Sequence, residues 1–78
     1  IIVYPNPVSE KLFINNINNG TQIILKNIIG QNIINIPFVN NINVSNIENG
    51  IYYLEIYSDT VCRHKQELIF KSKIIIQH

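Results

Sequence analysis

The chain is poor in the features from which small proteins usually build chemistry or covalent staples. Among its 78 residues there is one cysteine, Cys62, and neither tryptophan nor methionine. A single thiol cannot close an intramolecular disulfide, so the domain must be held by packing. Charged residues are only 14% of the chain and the net charge is +1, which leaves no basic face to neutralise a phosphate backbone and excludes nucleic acid as the natural partner. Apolar runs stop at three or four residues, far short of the roughly 20 that a membrane helix requires, so no membrane span is expected. The glycines, Gly20, Gly30 and Gly50, stand apart from one another. They form no glycine-rich phosphate cradle and are expected at turns.

Catalytic groups are equally sparse. His64 and His78 are the only imidazoles, and His78, the last residue, is expected to fray. Cys62 and His64 lie two apart and share a face if their segment is a strand. That spacing would allow a thiolate–imidazole pair or half a metal site, but no further ligand or orienting carboxylate is suitably spaced, so both are read as surface residues. The carboxylates Glu10, Glu48, Glu55, Asp59 and Glu67 form no recognisable catalytic pair and are read as solvated charges. Neither enzymatic activity nor a cofactor is expected. The glycosylation patterns Asn19-Gly20-Thr21 and Asn43-Val44-Ser45 are chance matches in an asparagine-rich chain.

What the chain does have is short runs of β-branched and aromatic residues between Asn, Gly and Pro clusters, with 46% hydrophobic residues to build a core. No stretch keeps helical spacing for three turns. Strands are expected at Ile1–Tyr4, Lys11–Asn15, Thr21–Lys26, Gln31–Ile36, Ile42–Ser45 and Ile51–Tyr57. After a polar turn at Ser58–Thr60 a long return runs from about Val61 to Ile76. Alternation turns Leu12, Ile14, Ile23, Leu25, Ile42, Val44, Tyr52, Leu54 and Ile56 inward. In the fourth strand either Ile33 or the pair Ile34 and Ile36 faces the core. Phe13, Ile24, Ile29, Phe38 and Tyr53 are expected outside. Asn27-Ile28-Ile29-Gly30 has the residues of a type I turn.

Seven short strands with regular turns describe an all-β, immunoglobulin-like antiparallel β-sandwich. Glu48-Asn49-Gly50-Ile51-Tyr52 resembles a tyrosine corner, with Leu54 where antibody domains place a disulfide cysteine. Near the start, Pro5 and Pro7 lack backbone donors and should end an edge strand, leaving Asn6 to hydrogen-bond the local backbone.

In order, VYPNPVSEKLFI, LKNIIGQNI, INVSNIENGIYYLEI and KSKIIIQH closely resemble the type A C-terminal sorting domain of the type IX secretion system of Bacteroidetes. The pieces of the family pattern fall at Tyr4, Pro5, Asn6 and Pro7, at Leu12–Ile14, at Gly30-Gln31 with Ile33, at Ile42–Ser45 and Ile47, at Gly50 with Tyr52, and at Lys73–Ile76. Two departures stand out: the family often ends on Lys or Arg where this chain ends Ile76-Gln77-His78, and CRHKQELIF replaces the usual compact hairpin.

The resemblance implies a sandwich that addresses a preceding cargo domain to the outer-membrane translocon and is then removed by a surface sortase. The cargo would reach the cell surface or medium, released or attached to lipopolysaccharide. Residues 1–78 are accordingly expected to be a single domain excised from a longer secreted protein, whose front end carries the export signal. Lys71 and Lys73 share a strand face and Ile74, Ile75 and Ile76 can pair with a partner's sheet edge, which makes these five the candidates for translocon recognition. The plainer reading of the lysines is edge protection. The competing function is a permanent structural or carbohydrate-binding sandwich, for which Phe13, Tyr53 and Tyr57 are the available stacking residues.

Overall fold

Strands of period two leave one apolar row each, and such rows are buried by laying two sheets face to face. The computed structural model of the chain describes residues 1–15, 20–59 and 66–78, and these form seven strands and no helix. The strands are β1 (Ile2–Tyr4), β2 (Lys11–Asn15), β3 (Gln22–Asn27), β4 (Asn32–Pro37), β5 (Asn41–Asn43), β6 (Gly50–Asp59) and β7 (Gln66–Ile76). One sheet has the order β1-β2-β5 and the other β4-β3-β6-β7, with every pair antiparallel. The chain therefore changes sheet between β2 and β3, β4 and β5, and β5 and β6. Among the described residues no helix is long and apolar enough to cross a membrane.

The inward rows are those that alternation predicts. Leu12, Ile14 and Ile42 of the smaller sheet, with Val44 just beyond β5, face Ile23, Leu25, Tyr52, Leu54 and Ile56 of the larger one, all buried. Strand β6 is the spine, paired along β3 by Gln22–Asn27 and along β7 from Gly50 to Asp59. Full burial of a Leu or Ile contributes about 1.5–3 kcal/mol each, so this double row dominates the stability.

Register decides what single strands leave open. Leu25 lies opposite Ile34 and Lys26 opposite Asn32, so Ile33 is the extra residue of a β-bulge. Ile33 is thereby turned out while Ile34 and Ile36 pack on the core. Phe38, expected outside, also packs against the core, drawn in by its N–H donating to the Thr21 carbonyl at 3.0 Å. Phe13 and Ile29 are exposed as expected, while Ile24 and Tyr53 are half-buried. The turn expected at Ser58 does not begin there: Ser58 and Asp59 still pair, with Glu67 and Gln66, beyond a second bulge at Ile56/Tyr57. A polar Ser-Asp pair marks a turn only when no neighbour strand claims its backbone, and β7 does. Cys62 and His64, read as surface residues, lie outside the described residues.

The β3–β4 turn is built as its residues require. The Gly30 N–H donates to the Asn27 carbonyl at 3.1 Å, and Gly30 has φ of +86°, a conformation costly for any residue with a Cβ. The Asn27 Oδ1 accepts from the N–H groups of Ile29 and Gln31. The tyrosine corner is formed as well, the Tyr52 hydroxyl donating to the Glu48 carbonyl at 2.8 Å.

Tyr52→Phe keeps the ring and removes only that bond, so urea unfolding is expected to show a loss of about 0.5–1.5 kcal/mol. Leu54→Ala empties the centre of the core and is expected to cost about 2–5 kcal/mol in the same measurement. Equal losses for the two would show that the corner matters far more than one hydrogen bond.

Candidate functional site

The terminal strand gathers the residues that the sequence singles out. β7 lies at the edge of its sheet, and its end pairs with the start of β6 through Lys73 with Tyr53, Ile74 with Tyr52, Ile75 with Ile51 and Ile76 with Gly50. Alternation splits the five candidate residues into two sets. Ile74 and Ile76 are core residues, each 1% exposed, whereas Lys71 and Lys73 are exposed and Ile75 is half-buried on the outer face. In the folded domain only the second set is available to a partner.

The outer edge of this strand end is closed from the other sheet. Asn6 Nδ2 donates to the Lys73 carbonyl and Asn6 Oδ1 accepts from the Ile75 N–H, both at 3.0 Å. The Val8 N–H donates to the Ile75 carbonyl at 2.8 Å and the Val8 carbonyl accepts from the Gln77 N–H at 2.9 Å, a parallel bridge. Val8 itself is 1% exposed. The expectation that Asn6 serves its local backbone is thus corrected: its partners are 67 and 69 residues away. Local chemistry could not reveal this, because side-chain amides bond equally well to near and distant backbone. Nor do residues 73–77 offer an open edge to another protein, since Asn6 and Val8 occupy it. Tyr4–Pro5 and Asn6–Pro7 are both cis peptide bonds.

His78 is not frayed as expected. Its N–H donates to Asn49 Oδ1 at 2.9 Å, and its Nε2 lies 2.6 Å from the Ile47 carbonyl. A carbonyl only accepts, so Nε2 carries the proton in this contact. The chain end is thereby tied to the β5–β6 loop that also holds the tyrosine corner. Gly50 is the first residue of β6 and not a turn residue; an added Cβ would meet the Tyr52 ring at an ordinary 3.6 Å. The β3–β4 turn reaches the same place, since Asn27 pairs with Tyr52 and Asn27 and Ile28 border a cavity of about 370 Å³ with Asn49, Gly50 and Ile51. The β1–β2 turn with Tyr4, Pro5, Asn6 and Pro7, the Gly30 turn, the Gly50–Tyr52 corner and the tail all lie at one end of the sandwich. Tyr4 is exposed and stacks on Phe13, ring centroids 5.5 Å apart.

Behind the tail, the outer sheet face carries a charge cluster that sequence reasoning missed. Glu55, 5% exposed, receives the Tyr57 hydroxyl at 2.8 Å and the Lys26 ammonium at 3.1 Å, with Lys71 at 3.8 Å. Lys71 also lies 5.6 Å from the centre of the Tyr53 ring. The available signal was register: Glu55 is the one acid in the middle of the outward row of β6, and Lys26 and Lys71 flank it on β3 and β7. Burial raises the Glu55 pKa and is the largest single influence, but the Tyr57 and Lys26 hydrogen bonds with the Lys26 and Lys71 charges outweigh it and hold the carboxyl below its ordinary 4.5. The Glu55 hydrogen bond in turn raises the Tyr57 pKa. A carboxylate favoured by the fold stabilises the domain above its unfolded pKa, and that stabilisation is lost as pH falls through the lower folded value. Glu55→Gln is therefore expected to be less stable than the parent at pH 7 and to lose less on acidification, as read by urea unfolding at pH 7 and pH 3. Identical pH profiles would remove the cluster from any account of stability.

Among the described residues no group of three or more His, Cys, Asp or Glu side chains could hold a metal ion. Among curated proteins and solved structures nothing matches the chain. A family model described as a secretion system C-terminal sorting domain does match, over residues 2–77, and that family is a secretion signal and not a catalytic one. With seven strands in two antiparallel sheets and its motif residues assembled at one end around the terminal strand, the chain belongs to the C-terminal sorting domains that direct proteins into type IX secretion.

Proposed function

We propose that the secretion machinery reads the end of the sandwich where the tail is clasped, and that the outward residues Lys71, Lys73 and Ile75 are its principal contacts. A type IX sorting signal implies a cargo attached to it, interaction with the secretion machinery, and export through the outer membrane to the cell surface or beyond. The finer steps are part of this proposal. Residues 1–78 form one domain that follows a cargo in a longer secreted protein. The outer-membrane translocon recognises the domain, and a surface sortase then removes it, leaving the cargo free or joined to lipopolysaccharide. Ile74 and Ile76 contribute by anchoring the strand in the core, so that the residues between and before them are displayed outward.

The observation that supports this reading is the convergence of four sequence-distant motifs on one end of the molecule. Core formation alone requires Ile74, Ile76, Leu12 and Leu54, and makes no demand on exposed Asn6 or Lys73. An exposed assembly brought together from residues about 70 positions apart is what a recognised surface needs. Lys73 makes no ion pair among the described residues, unlike Lys71 with Glu55, so its charge can be changed without disturbing the outer face.

The test is a fusion of residues 1–78 to a periplasmic reporter in a bacterium with type IX secretion. The reporter is expected outside the cell with the domain removed. Lys73→Glu is expected to reduce export severalfold while leaving the urea midpoint within the small change of an exposed substitution, about 0.5 kcal/mol. Export of Lys73→Glu at the parental level would move recognition away from this face. A reporter found outside with the domain still attached would contradict removal.

A further inference from the structure

We propose that Asn6 is a positioning residue for sorting: its carboxamide replaces a missing neighbour strand and holds the outward residues of 73–77 in one register for the secretion machinery. The inference rests on the tail being the surface that is read. A backbone peptide unit offers an edge strand one N–H and one C=O, and the Asn6 side chain offers the same pair. It donates to the Lys73 carbonyl and accepts from the Ile75 N–H at 3.0 Å each. Two residues on, the Val8 backbone continues the ladder to the Ile75 carbonyl and the Gln77 N–H. Four successive outward-pointing backbone groups, from the Lys73 carbonyl to the Gln77 N–H, are thus met in an unbroken run.

The flanking residues explain why a side chain does this work. Pro5 and Pro7 have no N–H to give, so the backbone on either side of Asn6 cannot supply donors to a ladder. Among side chains of this length only the carboxamide both donates and accepts at a fixed spacing; aspartate accepts only, and serine or threonine cannot span two backbone groups. The amide orientation is set by its partners, since the carbonyl of Lys73 requires a donor and the N–H of Ile75 an acceptor. Asn6 is itself exposed, whereas Val8 is a core residue. Replacing Asn6 therefore opens the edge without emptying the core, and the consequence falls on the terminal strand. The β6 ladder, the Val8 bridge and buried Ile74 and Ile76 still hold the strand when Asn6 is replaced, so what is released is the outer edge at the Lys73 carbonyl and the Ile75 N–H, where local opening then becomes easier.

The experiment pairs amide hydrogen exchange on the 78-residue chain with export of the reporter fusion, for Asn6→Asp, Asn6→Ala and Asn6→Gln. Asn6→Asp is isosteric and sets a carboxylate oxygen against the Lys73 carbonyl. Exchange at the Ile75 amide is expected to quicken roughly tenfold in Asn6→Ala, the loss of one ordinary hydrogen bond, with the Leu25 and Leu54 amides unchanged. Export is expected to fall severalfold for Asn6→Ala and Asn6→Asp, and less for Asn6→Gln, which keeps both groups on a longer arm. Unchanged Ile75 exchange would overturn the inference, as would faster exchange with parental export. Faster exchange throughout the core would make Asn6 a residue of global stability and overturn it equally. If the parent fusion itself is not exported, the sorting reading of the tail fails and the inference fails with it; a parent that is exported beside an Asn6→Asp variant exported equally well removes the inference alone.

Discussion

Strand β6 is paired on both sides, and its inward row of Tyr52, Leu54 and Ile56 supplies the middle of the core. Because its side chains alternate strictly, the register of β6 against β3 and β7 fixes two surfaces at once. One surface is the apolar layer shared with β2 and β5. The other is the outer face, where Tyr53 and Glu55 meet Lys73 and Lys71. A one-residue slip would exchange these sets, burying lysines and exposing isoleucines, so the burial of the inward row also determines which tail residues are displayed. The candidate recognition face and the core are two sides of the same constraint.

That constraint leaves one problem at the end of β7. An edge strand presents unpaired N–H and C=O groups, which attract other strands unless they are covered. Here the cover comes from the opposite sheet, through a segment in which two prolines lack backbone donors and the Asn6 carboxamide supplies one donor and one acceptor to the edge. The same contact ties the first turn of the domain to its last strand. The first turn and the terminal strand are thereby mechanically one unit, joined by Asn6 and by the buried Val8.

Much of the fold was legible because β-strands write their burial into alternation. The inward residues of β2, β3, β5 and β6 follow from period two alone, and the turn at Asn27–Gly30 and the corner at Tyr52 follow from residue types with few other uses. The face of β4 was not legible, since a bulge at Ile33 shifts the alternation and a bulge is a property of the pair, not of the strand. The end of β6 was misread for a related reason: Ser58 and Asp59 remain in the strand because β7 supplies partners that local polarity does not announce.

The candidate site divides in the same way. The sequence by itself determined which motifs are present, the membership of the family they define, and the inward rows that make a sandwich, because each depends on residue type and short spacing. Only the tertiary structure decided that Asn6 reaches Lys73 and Ile75, that Val8 is core, that His78 is anchored, and that Ile74 and Ile76 are hidden while Lys73 faces out. Those outcomes depend on which backbone groups are left unpaired once two sheets have closed on one another. Unpaired groups exist only after the strand order is set, and strand order is decided by contacts between residues far apart in the chain.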